Sequence, residues 1–478
     1  MGMRLTFTIL LILLAGCGRQ PAYDAELLQQ WNAAKAELGS TFAGGPGWQE
    51  HLDTLEAGFA DAGVVDIEKV FVPYRRWWAP DRPMPGQRSL VVGGESVPVA
   101  SYWAYSGSTS AAGITAPLLI YEKGMPSAQL AGRIVVFQVG HVPDSMGQMF
   151  KVGREYATDD FAKVDTRLVD DQWYQSNYVT RFGRFDSVLR DSGAAGAVVV
   201  FAMSAARLEG LYTFPLLELG VSGVPGLYVD QVAGAGVLAA AEKGTPATLT
   251  LRAHEEDVEP YFYTAVLPGR DYGTAADEQI LLVTHSDGPN LTQENGTLGI
   301  LALVRQYARL PQSERPRSLR VLLDPQHYSP GRHVLDWYER HPDIMRTVVA
   351  SLGVEHIGQR EYGEDDSGFG LTGLAEPWLI YARDDPQLIA AAIDAIEATG
   401  LPRTELRVPE RKGQGRWTGL GDVALKHDLA AYATLSNMSG YWGTNTGIES
   451  FDADLAKQQL DCLVMLIDML MVFDPEST

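Results

Sequence analysis

A chain of 478 residues has the length of two or three domains of about 150 residues each. Hydrophobic residues make up 46% and charged residues 21%, enough apolar surface for a large core and too much for a disordered chain. Sixty acidic against 38 basic side chains give a formal charge of -22, which repels phosphate backbones and removes nucleic acid from the expected partners. Two cysteines, Cys17 and Cys462, exclude both a disulfide framework and a cysteine-rich zinc ribbon.

The chain opens with Arg4, an apolar run from Leu5 to Leu14, and Ala15-Gly16-Cys17. The run falls short of the roughly 20 residues a spanning helix needs, so it reads as the apolar region of a secretory signal. Leu14-Ala15-Gly16-Cys17 resembles a bacterial lipobox. The resemblance implies a lipoprotein signal peptide over 1–16, acylation of Cys17, and a membrane-anchored protein of the bacterial cell envelope. Gly18 in place of Asp resembles outer-membrane sorting, facing the periplasm if the host is Gram-negative.

From Pro21 to Gly63, Leu27, Leu28, Trp31, Ala34 and Leu38, then Leu52, Leu55, Phe59 and Ala60, repeat at helical spacing. Residues 17–89 are expected to be a helical N-terminal part that runs into strand-like stretches after Val64. Between residues 90 and 255 the runs "GRIVVFQVG", "DSGAAGAVVVFA" and "VSGVPGLYVD" read as buried strands punctuated by small residues. In that order they resemble the protease-associated domain inserted in several peptidases. The match falls on Gly132 to Val135, Ala194 to Val198 and Val224-Pro225, and the polar stretch from Tyr156 to Tyr178 is expected to be a surface loop. Over 256–478 strand candidates alternate with helix candidates: Ile280 to Thr284, Leu319 to Asp324, Val348 to Val354 and Ala430 to Leu435 against Leu298 to Arg309, Pro386 to Thr399 and Asp452 to Met471. Alternation of this kind asks for an α/β fold with a mixed, mostly parallel sheet flanked by helices.

Reactive groups in such a sheet gather at the carboxyl ends of the strands. Those ends present His285 and Asp287, then Glu294 and Asn295, then Asp324, Gln326 and His327, then Glu355 and His356. Histidine with carboxylate is zinc chemistry rather than calcium chemistry. Asp287 and Asp324 are also residue types that cap turns. No Gly-x-Ser-x-Gly elbow feeds a helix, and neither cysteine has a plausible histidine partner.

"LLVTHSDGPNLTQENGTLGILALV", "LRVLLDPQHYSPG" and "VVASLGVEHIG" resemble the zinc aminopeptidase and glutamate carboxypeptidase family, over essentially the whole mature chain. The resemblance implies that His285, Glu294 and Glu355 are metal ligands, with Asp287 behind His285 as the carboxylate that orients it. It places Gln326 where the family has its general base and His327 where it has a ligand glutamate. Glutamine cannot take a proton from water. The family's last ligand histidine falls in "SGYWGTNTG", at Trp442 on the cleft edge, and no histidine follows His427. The resemblance thus implies zinc, one ion rather than two, and a peptide or small amide substrate. Three readings stay open: a hydrolase at a reduced metal site, with Asp324 or His356 as substitute base, a non-catalytic relative that binds peptides or another ligand, or a metal-free structural remnant or wholly different chemistry.

Overall fold

The computed structural model describes residues 22–80, 86–140, 153–161, 185, 187–212, 221–329, 334–365, 368–412, 417, 419–436, 443–444 and 446–474. The signal-like segment with Cys17, the candidate Trp442 and most of the stretch from Tyr156 to Tyr178 lie outside the described residues.

Among the described residues nine strands form the larger sheet, in the spatial order Val65–Phe71, Tyr261–Leu267, Ser318–Asp324, Gln279–His285, Val348–Gly353, Ala430–Ser436, Trp378–Ala382, Thr404–Arg407, Arg154–Ala157. The middle four, from Ser318–Asp324 to Ala430–Ser436, are parallel. Antiparallel pairs enter on both flanks, so the expected mostly parallel sheet is parallel chiefly at its centre. The reason lies in the connections. Tyr261–Leu267 arrives from a two-stranded ribbon and Trp378–Ala382 from the hairpin Arg360–Ala375, neither of which is the crossover helix that a parallel neighbour needs.

The central strands are uninterrupted apolar runs because both faces are covered. Ile280 and Leu282 point into a core made with the helices Pro46–Asp61, Gly296–Ala308, Pro386–Thr399 and Ala453–Val472. Leu281 and Val283 point to the opposite face, into a core shared with a second sheet. Asp385 and Asp452 cap two of these helices by accepting backbone N–H groups of their first turns. Gly400, at φ +64°, ends Pro386–Thr399 in the left-handed conformation that glycine adopts without strain.

Among the described residues the second sheet has eight strands, all drawn from between Arg88 and Leu251. Its centre, Ile114–Ile120, Ile134–Val139, Gly196–Phe201 and Gly226–Val229, is parallel. The chain crosses between the sheets along the ribbon Tyr74–Trp78 and His254–Val258, laced by Arg75 with Glu255 and Asp257 and by Arg76 with Glu256. Arg154–Ala157 does not stay with this sheet. It pairs with Thr404–Arg407 at the edge of the larger one, so the beginning of the expected surface loop, Tyr156 included, is an edge strand.

Candidate functional site

The parallel register sets the site. His285 and Asp324, the last residues of adjacent strands, are direct neighbours across the ladder. Glu355 follows Val348–Gly353 by two residues, its N–H donating to Thr434 Oγ1 at 3.0 Å. Glu294 ends the one-turn helix Leu291–Glu294, whose first turn is capped by Asn290 accepting from Gln293 N at 3.1 Å. Its carboxylate lies against the bare Cα of Gly288, in the space a Cβ would fill. Asn295 clamps two of the loops: its side-chain carbonyl accepts from Ile357 N at 2.9 Å and its amide donates to Ile357 O.

The side chains converge in pairs. His285 has Asp324 Oδ2 at 3.6 Å from Nδ1 and Glu355 Oε2 at 4.0 Å from Nε2. His327 has Glu294 Oε1 at 3.7 Å and Gln293 Nε2 at 3.3 Å from Nδ1. The two imidazoles stack, centroids 3.9 Å apart and planes 13° from parallel. Burial pulls the His285 pKa down, but Asp324 and Glu355 outweigh it and hold the imidazole above its ordinary value. Burial also pushes Asp287 and Glu294 well above the usual carboxylate range and raises Glu355.

Trp442 and Cys17 apart, the expected site residues can be placed. His285, Glu294, His327 and Glu355 come together, and Gln326 lies buried beside them, its N–H donating to Asp324 Oδ1 at 2.8 Å. Asp287 does not have the role expected of it. Its two oxygens accept from His327 N at 2.9 Å and Tyr328 N at 2.8 Å, and the carboxylate facing His285 Nδ1 is Asp324. A carboxylate beside two consecutive amides is held by them as a turn cap. His356 fails as a substitute base: it is fully buried, its Nδ1 faces Ser436 N at 3.2 Å, and burial together with His285 drives it down to about 3.

Two residues escaped the sequence reading. Lys35, on the helix Ala25–Glu37, reaches the site from behind, its Nζ 3.4 Å from Thr41 Oγ1 and 3.5 Å from Asn290 O. Tyr212, from the second-sheet region, packs 4.3 Å from Phe42 and 5.8 Å from Tyr328, ring centroid to centroid. The signal for Lys35 was present: Leu28, Asn32 and Lys35 fall at i, i+4 and i+7, and these are the residues the helix buries. No pattern pointed to Tyr212.

Imidazoles and carboxylates suit zinc by type. As placed, they do not fit it: among the described residues no three His, Cys, Asp or Glu side chains form a group that could hold a metal ion. The nitrogens of His285 face two different carboxylates, and His327 faces a third.

Solved structures share this architecture. A peptidase precursor from Shewanella amazonensis superposes with a TM-score of 0.63 at 14% identity, covering 94% of this chain and 96% of that one. A zinc aminopeptidase from Bacillus subtilis gives 0.61 at 13% identity, covering 95% and 96%. An aminopeptidase from an Aneurinibacillus strain gives 0.58 at 14% identity, with the same coverage. At these identities the likeness establishes the fold alone: the chain shares the α/β architecture of these structures over nearly its whole length. No family model matches the sequence, and no curated protein matches it either.

Proposed function

We propose that the protein takes peptides or small amides into the cleft at the carboxyl ends of the central strands and hydrolyses them at a reduced site. The observation that supports this is the convergence of His285, Asp324, Glu355, His327 and Glu294 at those strand ends, within a fold shared with aminopeptidases. Gln326 carries no proton-accepting group, and His356 is sealed away. The pair left to hold and move a proton is Asp324 with His285, the carboxylate fixing the ring through Nδ1 as carboxylates do for catalytic imidazoles. Loss of a positioned base removes about 10² to 10⁴ in rate, so turnover is slow. Zinc, one ion at most, is the cofactor the fold suggests.

The strands between Arg88 and Leu251 are read as a protease-associated domain that walls the cleft, with Tyr212 as its contact near the site. Cys17 is read as the lipid-bearing residue of an envelope protein. Mass spectrometry of the mature N-terminus tests this, and an unmodified Cys17 in protein made in a bacterial host rejects it.

The deciding experiment for the site is metal analysis of the purified protein beside a peptide-library assay. Slow hydrolysis abolished by His285→Ala is the expected result. Peptide binding with no hydrolysis under any metal supplement would transfer the site to the non-catalytic reading, which the glutamine at position 326 favours.

A further inference from the structure

Four carboxylates are buried at this site: Asp287, Glu294, Asp324 and Glu355. Three of them accept backbone N–H groups. Asp287 takes His327 N and Tyr328 N, Asp324 takes Gln326 N, and Glu355 takes Leu420 N at 3.0 Å. Glu294 differs. It is fully buried, and neither carboxylate oxygen has a hydrogen-bond partner among the described residues. A buried carboxylate without donors either takes up a proton or needs compensating positive charge nearby.

His327 Nδ1 lies 3.7 Å from Glu294 Oε1 on the strand-end side, and a second basic group lies behind the loop that carries Glu294. Lys35 is 2% exposed, and its ammonium is bonded to Thr41 Oγ1 and Asn290 O. Thr41 pairs by backbone with Gly288, the residue whose open face receives the Glu294 carboxylate. The Glu294 charge acts on Lys35 against the pull of burial. Lysine is rarely buried unless paired. Leu28 and Asn32 on the buried face of its helix, and Thr41 beyond the helix end, carry no charge.

We propose that Lys35 is the resident cation of the site, carried in on the helix Ala25–Glu37 to balance Glu294, so that the carboxylate cluster needs one metal charge fewer. The inference rests on the reading of this cleft as the functional site. Lys35 is a positioning residue, acting on substrate only through Glu294.

The test is a double-mutant cycle on the full-length protein, with Lys35→Met, Glu294→Gln and both together, read by thermal unfolding and by zinc titration. Lys35→Met should lower Tm by about 5 °C or more, because it strands a buried carboxylate. The double variant should recover most of that loss. Added zinc should raise the Tm of Lys35→Met by about 3 °C more than that of the wild type, and the double variant should lose that gain. Additive Tm losses, or equal zinc responses in wild type and Lys35→Met, overturn the proposal. If Lys35→Met does not accumulate folded, a double variant that also fails to fold overturns it, and one that folds supports it. Peptide binding by the same proteins is scored separately: coupling without any peptide binding rejects the reading of the cleft, while binding without coupling rejects the role of Lys35.

Discussion

His285 and His327 lie face to face, 3.9 Å between ring centroids, and turn their nitrogens to different carboxylates. His285 reaches Asp324 and Glu355, and His327 reaches Glu294. The stack makes the two histidines unequal. His285 sits between two buried carboxylates that raise its pKa, whereas His327 has one such neighbour and a more exposed side chain, 13% against 8%. His285→Ala at pH 7 should therefore cost about 3 kcal/mol or more, the scale for stranding buried charges. His327→Ala should cost about 1 kcal/mol. Urea denaturation of the two variants checks the order, and equal losses would contradict it.

Asp287 makes a second, independent prediction. Its two oxygens accept two amide protons of the loop that carries His327. Asparagine keeps the shape but turns an NH2 group toward one of those N–H donors, leaving it unsatisfied in a buried place. Asp287→Asn should lose about 2 kcal/mol, and amide exchange at His327 and Tyr328 should accelerate relative to the sheet strands. Unchanged protection at those two amides would remove Asp287 from the role of loop cap.

The central strands were legible because burial on both faces writes itself as continuous apolar sequence. Ile280 to Thr284 and Leu319 to Asp324 lie within the observed strands, which begin one residue earlier, at Gln279 and Ser318. The flanking antiparallel pairs were not legible, since strand direction depends on where the ribbon and the hairpin deliver the chain. The site was legible as a set of residues but not as a set of contacts. Asp324 rather than Asp287 faces His285 because side-chain direction at a strand end follows the local turn, which spacing does not encode. Lys35 was missed because the buried stripe of its helix is Leu28, Asn32 and Lys35, two polar residues in three, whereas the apolar pattern, Leu27, Leu28, Trp31, Ala34 and Leu38, shares only Leu28 with it.

Gln326 tests how much of the site's lost chemistry is local. Its side chain is buried and its N–H is fixed to Asp324, so Gln326→Glu introduces a carboxylate next to Asp324 and within the influence of Glu355 and Glu294. A fifth buried carboxylate there is held protonated by its neighbours, and a protonated acid is no base. Hydrolysis by Gln326→Glu should stay within about tenfold of the wild type, far from the 10² to 10⁴ that a working base supplies. A gain of about 10³ in kcat/KM would mean that a single substitution had disabled an otherwise intact peptidase.

The last prediction concerns acid. His51 is buried on the helix Pro46–Asp61, with Nε2 2.8 Å from Thr297 Oγ1. Burial, helped by the charge of Lys35, lowers its pKa well below the ordinary 6.5. The unfolded chain thus binds a proton below about pH 6.5 that the folded chain refuses, and stability falls as pH falls through that range. The buried carboxylates Asp287, Glu294 and Glu355, raised in the folded state, act in the opposite direction, so the slope of the wild type alone does not isolate His51. His51→Gln keeps a partner for Thr297 and removes the titration. Between pH 7 and pH 5 the variant should lose about 2 kcal/mol less than the wild type, since one proton contributes at most about 1.4 kcal/mol per pH unit. Urea midpoints measured at both pH values for the two proteins decide it, and parallel pH profiles would show that His51 is protonated in the folded state.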